Sequence, residues 1–278
     1  MPSGRDQVLG TSSCPICRES LSRGGFSVNG YRYVQCAECK LLYLDPAPRE
    51  AELEQYYQQY RDVKAAEGAG YLTAGHLQTY RQEKQLTFRD LGFELQSLKS
   101  KKLLEIGCAN GPFLTLAKDM GAEILGIDIS ADLVEEATSN GLNCRVARVQ
   151  EVTGVFDVVC LWDVIEHVTD PRAFLTEVKR LTRPGADVFI QTPRYGLLAE
   201  LFADQWRYLL PVEHVILYSL ESLTRLLSEF GFQRRSWVSF GSGNTSGTIP
   251  PAVKRAFDGL AKETGHGDTL AMWAVRES

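Results

Sequence analysis

The chain has 278 residues, 44% hydrophobic and 23% charged, with a formal net charge of −5 at neutral pH. That is the balance of a soluble globular protein with room for one sizeable α/β domain and a small accessory module. The acidic balance weighs against a nucleic-acid partner, and no apolar run approaches the ~20 residues needed to span a bilayer. The first residues, Met1-Pro-Ser-Gly-Arg-Asp6, lack the apolar core of a signal peptide. We expect a cytoplasmic protein with no membrane partner, whose seven cysteines are reduced or metal-bound rather than paired.

The first element is a pair of knuckles, Cys14-Pro-Ile-Cys17 and Cys36-Ala-Glu-Cys39, with eighteen residues between them. Each knuckle aims two thiolates at one point, and two complete a tetrahedron, so the spacing predicts a structural Zn²⁺ site. Between them Phe26–Val34 alternates apolar and polar residues around Asn29-Gly30, a hairpin signal. A zinc ribbon over residues 1–45 follows, with the metal supplying much of its stability.

Residues 46–102 read as a helical lid or linker. Glu50–Arg61 carries Tyr56, Tyr57 and Tyr60 at helical spacing, Gly68 and Gly70 break the run, and a second helix spans about Gly75 to Leu98. Tyr57, Tyr60 and Tyr71 are the lid residues we expect nearest the substrate.

From residue 103 to 278 strands and helices alternate. Strands are expected at Lys102–Ile106, Glu123–Ile127, Cys144–Val146, Phe156–Leu161, Asp187–Gln191, Phe232–Phe240 and Thr269–Val275. Helices are expected at Pro112–Met120, Ala131–Asn140, Pro171–Leu181, Leu220–Phe230 and Ala252–Glu263, with Ser130, Asp170 and Ser219 as N-caps. Continuous apolar runs such as Val158–Leu161 imply a parallel sheet covered on both faces, hence a doubly wound α/β fold.

The stretch Leu103-Leu-Glu-Ile-Gly-Cys-Ala-Asn-Gly111, followed by Pro112, is a strand, a glycine-bearing turn and a helix start. A dinucleotide site wants G-x-G-x-x-G, whereas this one reads E-x-G-x-x-x-G. Glu105 at the mouth would repel a pyrophosphate and welcome a ligand carrying an ammonium and a sulfonium. Asp128 ends the next strand about twenty residues on, where an acidic side chain accepts from ribose hydroxyls.

With Gly126-Ile-Asp-Ile-Ser130 and Phe156-Asp-Val-Val-Cys-Leu-Trp-Asp-Val-Ile-Glu-His-Val168, these residues resemble a class I S-adenosylmethionine (SAM)-dependent methyltransferase. The resemblance implies a Rossmann-like sheet of seven strands with an antiparallel edge. It implies that Glu105, Gly107, Cys108, Ala109, Asn110 and Gly111 hold the methionine portion, and Asp128 with Ile129 the ribose and adenine. Val149 would line the adenine, and Trp162 and Asp163 would face the sulfonium. The ribbon and the following Leu42-Tyr-Leu-Asp-Pro-Ala-Pro48 are similar to the front of methyltransferases of sugar and natural-product biosynthesis.

Methyl transfer to a hydroxyl needs a base, and His is the usual residue near neutrality. His214 lies in the segment between the fifth strand and the next helix, which in this fold lines the acceptor pocket. His167 follows Glu166 at a helix opening and is the second candidate. Asp163-x-x-Glu166-His167 is also similar to the E-x-x-E-H of ubiquinone-biosynthesis O-methyltransferases, where these side chains hold a divalent cation. Arg194 and Tyr195 end the fifth strand, where an arginine can clamp an acceptor carboxylate or phosphate. The resulting expectation is an enzyme that methylates a small molecule, a secondary metabolite or an activated sugar, most readily on oxygen. Two alternatives stand beside it: an RNA base methyltransferase with a zinc finger, and a non-catalytic SAM-binding interaction module.

Overall fold

The computed structural model describes residues 13–49, 52, 53, 56, 74–243 and 250–278. Strands β1 (Ser22–Val28) and β2 (Tyr31–Cys36) form the expected hairpin. Its turn residues Asn29 and Gly30 have φ of 50° and 83°, the left-handed pair that a two-residue turn between twisted strands demands. Strand β3 (Leu42–Leu44) adds to β2, and its Leu42 and Tyr43 pair with Leu217 and Ile216 of β9 (Ile216–Leu217). The ribbon's sheet is thus completed by chain from beyond residue 200. Ile16, Val34, Leu41 and Tyr43 pack in one apolar core with Leu104, Val159 and Ile190 of the large sheet.

The large sheet has β4 (Lys102–Ile106), β5 (Glu123–Asp128), β6 (Cys144–Val146), β7 (Phe156–Trp162), β8 (Thr182–Pro193), β10 (Phe232–Phe240) and β11 (Thr269–Arg276). Their order is β10-β11-β8-β7-β4-β5-β6, parallel except β11, which runs antiparallel to both neighbours. This is the doubly wound sheet with an antiparallel edge that the apolar runs imply. Successive residues serve opposite cores: Leu103, Val158 and Phe189 on one face, Leu104, Val159 and Val188 on the other.

The first face is covered by α1 (Ala74–Leu91) and α2 (Pro112–Asp119), through Phe88, Leu91, Phe113 and Leu116. Next follow α3 (Ala131–Ser139), α4 (Pro171–Leu181), α5 (Leu197–Phe202), α6 (Leu220–Glu229) and α7 (Pro251–Glu263). The second expected lid helix is shorter than Gly75–Leu98. It stops at Leu91 because Gly92 turns left-handed (φ 76°), and a separate 3-10 turn covers Leu95–Leu98. Asp170 caps α4 by accepting from the backbone of Arg172 and Ala173, worth about 1 kcal/mol, and Ser219 caps α6. Ser130 corrects the third cap: its side chain makes no cap bond, and its own N–H is taken by Asp128 instead. Strand β8 also begins earlier than Asp187, since Thr182 already pairs with Phe156.

No helix among the described residues is long and apolar enough to cross a membrane. Because the ribbon and large sheet share a core, loss of the metal should be felt throughout. Cys36→Ser should release zinc, counted with a colorimetric chelator, and lower the Tm of the main unfolding transition by about 5–10 °C. A separate early transition, with the main one unmoved, would contradict the shared core.

Candidate active site

The carboxyl ends of β4, β5, β7 and β8 meet along one edge of the sheet, where open α/β sheets gather ligands. The turn after β4 is left-handed at Gly107 (φ 75°), Ala109 (47°) and Gly111 (80°). A Cβ on Gly107 would strike Val164, and one on Gly111 would strike Leu142, so both positions need glycine. The amides of Gly107 and Cys108 donate to the Ile127 carbonyl at 2.8 and 3.0 Å. Asp128 Oδ2 accepts from Ala109 N and Oδ1 from Ser130 N, both at 2.9 Å, which ties the turn to the end of β5. Asn110 donates to Glu136 at 3.0 Å, and the buried Cys108 thiol lies 4.0 Å from that of Cys144. These two side chains therefore brace the turn and leave its backbone to the pocket. Ile129 stands half-exposed beside Asp128, and Val149 is buried after β6.

Glu105 is the strongest electrostatic feature. Its carboxylate is buried, and Oε2 has no hydrogen-bond partner. Burial drives its pKa far above the usual carboxylate range, with Lys84 pulling the other way. Lys84, from α1, is itself buried and donates to Gln191 Oε1 at 2.7 Å. Its ammonium lies over Trp162 and Tyr80, 4.2 and 4.8 Å from the ring centroids. Burial lowers its pKa, while Asp163 and Glu105 act to raise it. Gln191 in turn donates to Asp163 Oδ2 at 2.8 Å. The Trp162 ring packs edge-on against Phe88 and Phe113, so one face belongs to the core and the other meets the cation. Sequence reading named Glu105, Trp162 and Asp163 but missed Lys84 and Gln191. A lysine amid the Leu86, Phe88 and Leu91 stretch of a lid helix was the available signal.

His167 and His214 are neighbours, with ring centroids 5.1 Å apart. His167 is clamped: Nδ1 lies 2.6 Å from the Glu213 carbonyl and Nε2 lies 3.1 Å from that of Asp163. His214 Nδ1 faces the Tyr208 carbonyl at 2.8 Å, which fixes the N–H there and the lone pair on Nε2 in the neutral ring. The ribbon reaches this residue, since Tyr33 donates from its hydroxyl to the His214 carbonyl at 2.8 Å. Tyr56 donates to Glu213 at 2.7 Å. Tyr57, Tyr60 and Tyr71 lie outside the described residues.

Asp163, Glu166 and His167, the set similar to a divalent-cation site of ubiquinone-biosynthesis O-methyltransferases, contact other protein groups, with Glu166 Oε1 left buried and unpartnered. Gln191 takes the Asp163 carboxylate, Thr192 takes Glu166 Oε2, and both His167 nitrogens face carbonyls. The group brought together is Glu166, His167 and His214, with one ligand atom from each within 4.8 Å of the others. Arg194 is half-buried beside Trp237, whereas Tyr195 is buried against Trp206 at the ribbon junction.

The four ribbon thiols suit zinc. Cys14 and Cys39 approach to 3.6 Å and Cys17 and Cys36 to 3.4 Å, close to the edges of a tetrahedron with ~2.3 Å Zn–S bonds. Packed so closely, they cannot all ionise without a cation: the Cys14 pKa falls through its bond to Cys39, and that of Cys39 rises in consequence. Zinc there would be structural, because four protein ligands leave no open position.

The family described as "Methyltransferase domain" matches residues 74–236, more than half of the chain. The chain belongs to the class I SAM-dependent methyltransferase family. Similar curated relatives are ubiquinone biosynthesis O-methyltransferases. That of Xanthomonas oryzae pv. oryzae is 34% identical over 128 residues, 41% of this chain and 54% of the relative. That of Pseudomonas aeruginosa is 33% identical over 132 residues, 42% and 57% of the two chains. The chain therefore spans about half the length of the curated relatives it matches. Magnesium protoporphyrin IX methyltransferase from Synechocystis PCC 6803 with bound SAH has the same fold (TM-score 0.58, 15% identity, 82% of this chain and 100% of that one). So does the cyclase SpnF (TM-score 0.56, 17% identity, 83% and 98%). Likeness at that identity concerns the fold alone.

Burial holds the His167 pKa below its ordinary 6.5, with Glu213 and Asp163 opposing. Below that value the unfolded chain takes up a proton that the folded chain resists, so stability falls on acidification. His167→Gln should make the loss of unfolding free energy between about pH 7 and pH 5 shallower, by up to ~1.4 kcal/mol per pH unit. Denaturant titrations with equal slopes in both proteins would contradict a buried neutral ring.

Proposed function

We propose that the chain is a SAM-dependent O-methyltransferase of a hydroxylated small molecule, with a secondary metabolite or an activated sugar as the acceptor class. The observation that carries the reading is the buried Glu105 carboxylate at the carboxyl end of β4, with Oε2 unpartnered and the buried Lys84 ammonium acting on it through space. The methionine end of SAM bears an ammonium and a carboxylate. A buried carboxylate lacking a partner at Oε2 and a buried ammonium held on Gln191 supply one counter-charge for each. Asp128 and Ile129 suit the ribose hydroxyls and an adenine face, with Val149 behind. The names of the curated relatives favour oxygen as the methylated atom.

Transfer is an in-line displacement in which the acceptor oxygen attacks the methyl carbon and the C–S bond electrons pass to sulfur. The protein's part is to align the three atoms and exclude water. Trp162, Tyr80 and Phe113 provide an apolar wall at that place. His214 takes the acceptor proton on Nε2, since its Nδ1 proton is fixed on Tyr208. His167, which as a neutral ring donates to one of its two flanking carbonyls, orients the His214 loop and takes no part in proton transfer. The zinc ribbon supports that loop through Tyr33.

Two measurements test this. Radiolabelled SAM should transfer methyl to members of a hydroxylated acceptor panel, and His214→Asn should lower kcat by ~10²–10⁴-fold while S-adenosylhomocysteine (SAH) affinity stays within about twofold. Lys84→Met should weaken SAH by about tenfold or more. No transfer to any acceptor, or unchanged SAH affinity in Lys84→Met, would overturn the respective assignment.

A further inference from the structure

Apart from the donor pocket, a cleft of about 590 Å³ opens between the ribbon and the carboxyl end of β8. Its walls bring together Lys40 of the ribbon, Arg194 and Tyr195 after β8, Glu200 on α5, Glu221 in the first turn of α6, and Arg234 on β10. Arg194 is the unusual member. Its guanidinium is half-buried, yet its only side-chain hydrogen bond among the described residues runs from Nη1 to the Gly265 carbonyl. Nε is buried without a partner, and the group rests on Trp237 at 5.4 Å. Burial lowers its pKa with no carboxylate acting against it. Arg207, by contrast, is held bidentately by the buried Asp268 at 3.1 Å on each arm. A desolvated guanidinium without an internal anion is costly, and an anion from outside would repay that cost.

We propose that this cleft binds the anionic group, a phosphate or a carboxylate, of a hydroxylated small molecule, with Arg194 as its main counter-charge and Lys40 and Arg234 beside it. Glu200 and Glu221 on the walls accept from hydroxyls of the same ligand. The proposal rests on the acceptor assignment above only for the hydroxylated character of the ligand; the anion site itself rests on Arg194. Arg194 and Thr192 point to the same side of extended chain, ~7 Å apart. Thr192 donates to Glu166 at 2.9 Å, and Glu166 lies beside His167 and His214. Thr192 and Glu166 are themselves fully buried and neither His167 nor His214 lines the cleft, so the anion site lies beside the histidine cluster and is separated from it by this packed layer.

The test is calorimetric titration of glucose 1-phosphate, glucuronate and glucose into the full chain, with and without SAH. Glucose 1-phosphate or glucuronate should bind wild type, and the stronger of the two identifies the anion. Glucose should bind at least tenfold more weakly. Arg194→Gln should weaken the anionic ligand by at least tenfold, about 1.4 kcal/mol, with SAH affinity unchanged within about twofold. The exposed pair Lys40→Gln with Arg234→Gln should weaken it by about two- to fivefold, as suits solvated charges. Absence of binding by both anionic probes, or equal binding to wild type and both variants, would overturn the proposal. Failure of SAH itself to bind wild type would instead strike the methyltransferase reading, and Arg194-dependent anion binding would then stand alone.

Discussion

A carboxylate buried at the end of a parallel strand with no partner for one oxygen is the constraint around which this site is built. Left alone, Glu105 would be costly to ionise in so dry a place. Two features surround it: the Lys84 ammonium and the mouth of a turn shaped for a ligand. The lysine is equally out of place on solvation grounds, and it persists because Gln191 and two aromatic faces receive it. Such an arrangement stabilises the folded chain little, since each charge loses in desolvation much of what it gains from the other. On the proposed reading, its value lies in complementarity to a ligand that carries both signs.

The second dependence is mechanical. The segment holding His214 has little regular structure of its own, and its two-residue strand β9 is too short to stand alone. It is held from both sides. Val215 N donates to the Glu166 carbonyl at 2.8 Å, Leu44 N donates to the Val215 carbonyl at 2.9 Å, and Tyr33 grips the His214 carbonyl. Ser219, which caps α6, also donates from its hydroxyl to the Cys39 carbonyl at 3.0 Å, beside a metal knuckle. A four-cysteine ribbon with few basic residues between its knuckles thus has a structural use that requires no nucleic acid: it buttresses the loop next to the site.

Much of this was legible in the chain because the signals are local. Strand β4, its turn and Pro112 follow from adjacent residues, and so do the Asn29-Gly30 hairpin and the two cysteine knuckles. Among the described residues the expected helices came within a residue or two except for α1, where the left-handed Gly92 outweighed the helical spacing of the apolar residues. Helix α5 had no expected counterpart, and most of the expected helix Glu50–Arg61 lies outside the described residues. Lys84, Gln191 and Tyr56 were not legible. Their partners lie far along the chain, as in the Lys84–Gln191 bond across 107 positions and the Tyr56–Glu213 bond across 157. The contacts around Asp163-x-x-Glu166-His167 were hidden for a related reason. Spacing placed the three together, and Gln191, Thr192 and two backbone carbonyls, invisible in that spacing, meet Asp163 Oδ2, Glu166 Oε2 and the His167 ring.

The donor pocket is the claim on which the enzymatic account stands, and calorimetric titration of SAH into wild type and Asp128→Ala tests it most directly. Asp128 binds the turn through Ala109 and Ser130, and on the proposed reading its remaining lone pairs receive the ribose hydroxyls. The account predicts micromolar binding to wild type and at least tenfold weaker binding to the variant, a loss of about 1.4 kcal/mol. No binding to wild type, or equal affinity in the two proteins, would contradict it.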